Sequence, residues 1–341
     1  MAQMDWNLLA DKSLQGERLS REESLAVLEA ADDEILALMN AVFRVRKHYF
    51  GKKVKLNMIM NAKSGLCPED CGYCSQSIIS QAEIDKYPLL DKETLVDGAR
   101  RAMKMRAGTY CIVASGKGPT EHELEHVMDA VKEIKQTTPL KVCACLGILK
   151  PGQAEKLKQA GVDRYNHNLN TSRSHFSNIT TTHTYEDRVN TVNAAKEAGI
   201  SPCSGVILGM GETKQEIIDM AYALRELDAD SIPINFLHPI PGTPLENRRD
   251  LNPMQCLKAL ALFRLICPSK EIRISGGREM NLRSLQALGL YAANSIFVGD
   301  YLTTEGQAST ADHQMIEDLG FEVDYAENAD QHHASSALNF A

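Results

Sequence analysis

Eight short β-prone runs alternate with amphipathic helical stretches along most of this chain, and no other feature restricts the fold as much. The runs are Val54–Met60, Thr109–Ala114, Leu140–Leu146, Arg164–Asn168, Ser204–Leu208, Ile232–Phe236, Glu271–Ser275 and Ser295–Val298. Between them, helical periodicity predicts helices over Lys92–Arg106, Glu121–Gln136, Gln153–Ala160, Tyr185–Ala198, Lys214–Leu227, Pro253–Cys267 and Leu282–Leu288. Gly161 and Gly199 follow two of these helices, where a left-handed C-cap is easiest for glycine. Repeated strand–helix units build either an open doubly wound sheet or a closed barrel, and eight of them favour an α/β fold of the (βα)8 TIM-barrel type.

Upstream, Arg18 to Phe50 reads as helical behind the capping signal Ser20-Arg21-Glu22-Glu23. The chain is expected to divide into an N-terminal helical extension (1–50), the barrel (51–305) and a C-terminal segment (306–341). The polar tail of that last segment, from about Glu327, reads as partly disordered.

In such a barrel, function sits where strands end, and polar residues crowd those positions here. Thr109 and Cys111, Cys143 and Cys145, and Asn166, Asn168 and Asn170 each share a parity, so each set shares a strand face. If those faces point inward, one cavity collects cysteines, amides and Arg273. Such a lining is costly to bury unless a ligand or metal partners it.

The net charge of −8 would repel a phosphate backbone, and no basic patch interrupts it, so nucleic acid is not an expected partner. No apolar run is long enough for a membrane span, and the first residues lack the order of a secretory signal. A cytoplasmic protein is expected. In that compartment nine cysteines are metal ligands or catalytic groups before they are disulfides.

Three of them form Cys67-Pro68-Glu69-Asp70-Cys71-Gly72-Tyr73-Cys74. Three thiolates from one short loop suit a cuboidal iron–sulfur cluster with one corner free of protein. Structural zinc prefers four ligands, and no fourth cysteine or histidine lies nearby in sequence; zinc with a distant ligand is the alternative.

This loop resembles the signature of the radical S-adenosylmethionine superfamily. The longer stretch Asn61 to Gln76 is similar to the biotin synthase family in particular. So are Tyr165-Asn166-His167-Asn168, Ser201-Pro202-Cys203-Ser204-Gly205, Asn235 before Gly242-Thr243-Pro244-Leu245, Ile272 to Glu279, and Ala293-Asn294-Ser295-Ile296-Phe297. The resemblance runs from about Ala31 to Val323.

It implies that Cys67, Cys71 and Cys74 hold a 4Fe-4S cluster whose open iron takes S-adenosylmethionine. One electron would release a 5′-deoxyadenosyl radical. Tyr73, Asn168 and Asn170 would contact this cofactor, and Asn168, Asn235 and Thr303 the substrate dethiobiotin. Cys111, Cys143, Cys203 and Arg273 would hold a 2Fe-2S cluster that is sacrificed as the sulfur source of biotin. Arginine is an odd ligand, because guanidinium has no free acceptor. An electron donor such as flavodoxin or ferredoxin and a homodimer are further implications. The chain departs from many relatives at Asn170, where they carry aspartate, and at Gly116, where some carry tryptophan. A radical enzyme of the same subgroup acting on another small carboxylate is the second reading, and a non-enzymatic iron–sulfur or zinc module the third.

Other patterns point to packing. Family alignment places the ligand at Cys143 and leaves Cys145 to the core, while Cys256 and Cys267 lie in an apolar helix. His122-Glu123-Leu124-Glu125-His126 matches the zinc-protease pattern, but both histidines face away from the side carrying Leu124, Val127, Met128 and Val131. They read as solvated. His332-His333 reads as part of the tail, and the glycines from Gly205 to Gly211 lack dinucleotide-loop spacing.

Overall fold

The computed structural model describes residues 4–325. Three helices come first: α1 (Trp6–Leu14), α2 (Arg21–Glu29) and α3 (Ile35–Phe50). The alternating region follows as β1 (Lys53–Lys63), α4 (Lys92–Lys104), β2 (Thr109–Ala114), α5 (Glu121–Thr137), β3 (Lys141–Cys145), α6 (Gln153–Ala160), β4 (Arg164–Asn166) and α7 (Tyr185–Glu197). It continues with β5 (Ser201–Cys203), β6 (Val206–Leu208), α8 (Lys214–Glu226), β7 (Ser231–Phe236), α9 (Pro253–Ile266) and β8 (Glu271–Ile274). The chain then forms α10 (Arg278–Leu282), α11 (Gln286–Gly289), β9 (Ser295–Phe297), α12 (Ser309–Asp318) and β10 (Glu322–Val323).

The sheet is parallel and closed. Neighbours run β1-β2-β3-β4-β5-β7-β8-β9, and β9 returns to pair with β1 through Lys55↔Ser295 and Asn57↔Phe297. Strands β5 and β6 are one barrel strand broken at Ser204-Gly205, so the eight expected strands are present. The backbones come very close at the break, where a Cβ on Gly205 would stand 1.9 Å from the Pro233 carbonyl oxygen of the neighbouring strand. Only glycine lets the two backbones approach that closely.

Helix α9 shows how sequence and architecture agree. Every residue from Cys256 to Ile266 is buried, so the helix is covered on all sides. The barrel covers one side, and α1, α2 and α3 together with α8 and α10 pack over the rest. Cys256 and Cys267 are buried there, as their apolar setting implied.

The N-terminal expectation needs correcting. The helical reading of Arg18 to Phe50 overlooked α1, which Asp5 caps by accepting from Asn7 N and Leu8 N, and it overlooked a break. Ala30 and Ala31 are extended, and a short 3-10 turn intervenes before α3. The single helix expected over Leu282–Leu288 is replaced by α10, a 3-10 turn and α11, interrupted at Arg283 with φ of 52°. At the far end, β10 pairs in parallel with the start of β1, and buried Asp312 on α12 accepts from Arg278 Nη1 at 2.8 Å. His332-His333 and the tail from Glu327 lie outside the described residues.

The His122–His126 reading is half right. His122 is exposed, but His126 is half-buried with Nε2 3.0 Å from Leu90 O. Glu123 is not idle either, since it closes the capping box with Thr120 and pairs with Lys63 Nζ at 2.7 Å. No helix among the described residues is long and apolar enough to cross a membrane.

Candidate active site and metal centre

The loop after β1 has no regular structure, so other segments must hold its cysteines in place. Its two acidic residues do this through donors on the β4–α7 connection. Asp70 accepts from Thr180 Oγ1 at 2.6 Å, Thr181 N at 2.9 Å and Thr182 Oγ1 at 3.0 Å. Burial works to raise the Asp70 carboxyl, but these donors prevail and hold it well below the usual carboxylate range. Glu69 accepts from Thr182 Oγ1 at 2.8 Å and meets His183 Nδ1, whose Nε2 accepts from Arg188 Nε at 2.9 Å. Gly72 N donates to Ile179 O at 2.9 Å. The β4–α7 connection thus clasps the cysteine loop at several points.

Cys67, Cys71 and Cys74 open on one cavity of about 390 Å³. Burial pushes all three thiols up, Cys74 to about 12, and their mutual proximity adds to it for Cys67 and Cys74. Bare thiols gathered in a low-dielectric site prefer to stay neutral, whereas a soft, multiply charged iron centre would draw them out as thiolates. The donor set is three sulfurs, and the nearby Asp70 and Glu69 carboxylates are taken up by the threonines and His183. It fits an iron–sulfur cluster.

Cys111 and Cys143 of the second cysteine set line the same cavity, and Cys203 is buried beside them. Cys111 and Cys143 face each other as register partners on β2 and β3 and pack against Phe297. Cys203 on β5 is fully buried and lies close enough to Cys143 for the two thiols to perturb each other. Cys111 first and Cys203 next raise the Cys143 thiol, whereas Cys143, Arg273 and Arg164 outweigh burial and lower that of Cys203. Asn166 Nδ2 also donates to Cys203 Sγ at 3.3 Å. Three thiols from three strands, with arginines beside them, fit an anionic iron–sulfur group.

Of the predicted site residues, all but Cys203 line the cavity. Asn168 and Asn170 lie beyond the end of β4 rather than within it. Asn170 adopts φ of 68°, a conformation asparagine tolerates better than most residues, and its Nδ2 donates to Tyr73 Oη. The Tyr73 ring packs against Ile179, Met210 and Leu237. Asn168 Oδ1 accepts from Asn166 Nδ2 at 2.9 Å. Asn235 spends part of its amide on the barrel itself, donating to Val206 O at 3.0 Å and accepting from Gly276 N at 3.0 Å. Thr303 Oγ1 is 2.8 Å from Ser75 Oγ, so the loop after β9 touches the cysteine loop. Gly116 lines the wall with no side chain to fill it.

Cys145 corrects an expectation. It is half-buried on the cavity wall, on the face its parity with Cys143 indicated, and not in the core. Sequence reasoning also passed over Arg188, His183 and Glu69, which line the cavity. Arg188 additionally donates to Asn168 O at 2.7 Å and places a cation near Cys71. Nothing in the spacing of these residues announces the relay. Tyr301 was missed as well, although it lines the wall and reaches Glu279, with Oη 3.1 Å from Oε2.

Residues 63–223 match the Radical SAM superfamily, and residues 233–322 match the Biotin and Thiamin Synthesis associated domain. The chain is 68% identical over 322 residues to biotin synthase of Bacillus licheniformis, covering 94% of this chain and 97% of that protein. To biotin synthase of Bacillus subtilis it is 67% identical over 322 residues, covering 94% and 96%. Among solved structures, methylornithine synthase superposes with a TM-score of 0.82 at 20% identity, covering 95% of this chain and 99% of that one. A FeFe-hydrogenase maturase from Carboxydothermus hydrogenoformans superposes with a TM-score of 0.78 at 19% identity, covering 94% and 79%. These two likenesses concern the fold alone. With a closed barrel, a three-cysteine loop at its mouth and relatives this similar along nearly their whole length, the chain belongs to the biotin synthase family of radical SAM proteins.

Proposed function

We propose that this protein converts dethiobiotin to biotin by radical sulfur insertion, using S-adenosylmethionine, a 4Fe-4S cluster on Cys67, Cys71 and Cys74, and a 2Fe-2S cluster on Cys111, Cys143 and Cys203 with Arg273. One observation carries the reading: both cysteine sets converge on one cavity, which Cys67, Cys71, Cys74, Cys111 and Cys143 line and beside which Cys203 is buried. When bound, the first cluster and S-adenosylmethionine supply a carbon-centred radical, and the second cluster supplies sulfide.

The chain's own residues bind, orient and exclude water. Tyr73, fixed by Asn170 and by the Ile179, Met210 and Leu237 contacts, offers a ring face for adenine. Asn168 and Asn170 present amide groups to the cofactor's hydroxyls, and Asn168, Asn235 and Thr303 to dethiobiotin. Arg188 offers a cation to an anionic group bound near Cys71. The Asp70 and Glu69 clasp keeps the cysteine loop closed over the cavity, where exclusion of water limits side reactions of a reactive carbon radical. Arg273 acts toward the second cluster as a cationic donor, because Glu271 accepts from it and holds its proton. A flavodoxin- or ferredoxin-type donor supplies the electrons and the chain works as a homodimer; both points rest on the resemblance alone.

Anaerobically reconstituted protein given S-adenosylmethionine, dethiobiotin and a reductant is expected to form biotin. If S-adenosylmethionine is cleaved but dethiobiotin is recovered unchanged, the substrate assignment fails and the superfamily assignment stands.

A further inference from the structure

The layer of side chains just below the second cysteine set is polar where barrel interiors are ordinarily filled with branched apolar residues. Glu271 on β8 accepts from Arg164 Nη1 at 2.9 Å, Arg273 Nη2 at 2.6 Å and Ser231 Oγ at 3.0 Å, with Lys55 Nζ at 3.3 Å on the solvent side. Arg273 also donates from Nη2 to Ser231 Oγ at 2.9 Å and from Nε to Ser295 Oγ at 3.2 Å. Both Arg273 and Glu271 are almost wholly buried. The register ties this layer to the thiols above it, since Arg164 is the partner of Cys143 and Ser231 the partner of Cys203. The Arg273 guanidinium also stands over Phe297, the ring that packs on Cys111 and Cys143, at 5.0 Å from its centroid.

Stability alone does not account for such a layer. Each buried ion loses several kcal/mol of hydration, and replacing a buried ion pair or triad by well-packed apolar residues is often neutral or stabilising by about 1–4 kcal/mol. Its retention directly beneath three thiols calls for a role there. Charge supplies one. Two arginines and one carboxylate leave a single positive charge in the interior. Two ferric ions, two sulfides and three thiolates sum to a single negative one. Without Glu271 the seat would carry two unmatched cations. Without Arg164, Glu271 would neutralise Arg273 and the seat would carry no net charge.

We infer that Glu271 is a positioning residue of the sulfur-donor centre: by bridging Arg164 and Arg273 it fixes the Arg273 guanidinium in one orientation beside Cys111, Cys143 and Cys203 and sets the charge of the seat. This rests on the reading that those cysteines hold a 2Fe-2S cluster. Glu271 touches neither substrate nor thiol in this role and acts through the two arginines that it bridges.

The test uses full-length protein reconstituted with both clusters, and follows iron and sulfide content and the reduction potential of each cluster by anaerobic spectroelectrochemistry. In Glu271→Gln, removal of a negative charge is expected to move the 2Fe-2S potential to more positive values, with the 4Fe-4S potential unchanged. In Arg164→Gln, removal of a positive charge is expected to move it the other way. A purely structural role would not produce opposite signs at one cluster and none at the other. Should Glu271→Gln not fold, the direction of the Arg164→Gln shift decides alone. Equal potentials in variant and parent, or parallel shifts in both clusters, overturn the inference. A parent protein without a 2Fe-2S spectrum overturns the cluster reading beneath it, and the two failures are told apart by that spectrum.

Discussion

The side-chain amide of Asn170 donates a hydrogen bond to the phenolic oxygen of Tyr73, joining the loop beyond β4 to the cysteine loop. A carboxylate at this position could only accept from the phenol, whereas the amide supplies a donor. Tyr73 therefore accepts in this bond. Tyr73→Phe would leave the buried Asn170 amide short of a partner, at a cost of about 1–3 kcal/mol. In an Asn170→Ala background the same change should cost less, giving a coupling of about 1 kcal/mol in a double-mutant cycle measured by anaerobic urea denaturation. Zero coupling would mean that the two residues do not act as a pair.

Alanine at any one of Cys111, Cys143 or Cys203 should abolish the 2Fe-2S absorption and Mössbauer signals while the 4Fe-4S signals persist. Alanine at Cys67, Cys71 or Cys74 should give the converse. The separation follows from geometry, since one set lies on a loop and the other on three strands. Chelation of iron should remove both. Zinc as the only metal in purified protein would contradict both assignments.

Gly205→Ala places a methyl group where the Pro233 carbonyl leaves no room. The strain should destabilise the barrel by about 1–3 kcal/mol, read as a lower urea midpoint with an unchanged slope. Because Gly205 lies two residues from Cys203, the same variant should incorporate less iron at the second site than at the first.

Glu123 links α5 to the strand that leads into the cysteine loop. Burial works to raise its carboxyl, and the Lys63 and Thr120 donors outweigh it, so the carboxyl is held below its usual value. A carboxyl lowered by folding contributes stability that is fully present above its unfolded pKa of about 4.3 and is lost as pH falls through the lowered value. Glu123→Gln can still serve the capping box but loses the charge pair with Lys63. It should cost about 0.5 kcal/mol at neutral pH, since partial exposure screens the pair, and the gap from the parent should close at acid pH. Denaturation curves across the acid range check this, and a gap that widens toward low pH would refute it.

Much of the architecture could be read from the chain because its determinants are local. The alternation of strand and helix periods located the barrel strands, and the capping residues Thr120, Thr184 and Thr213 mark where α5, α7 and α8 begin. Reading failed where the signal was weak or opposed. Helix α1 is short, and the extended Ala30 and Ala31 break an otherwise continuous helical pattern with residues that favour helix. At Cys145, parity put the side chain on the cavity face while family alignment argued for the core, and the structure follows parity.

By itself the sequence determined a strand–helix barrel and a three-thiol loop suited to iron and sulfur, because periodicity and motif spacing are properties of neighbouring residues. Tertiary structure alone decided that Asp70 is clasped by Thr180, Thr181 and Thr182, that Cys203 meets Cys143, and that Glu271 bridges Arg164 and Arg273. These partners are separated along the chain by tens of residues or more, apart from Glu271 and Arg273, and the strand residues among them are united by the register in which the parallel strands close. Register leaves no periodic imprint on a local stretch of chain. It emerges only when β9 pairs with β1 and every inward side chain acquires its neighbours.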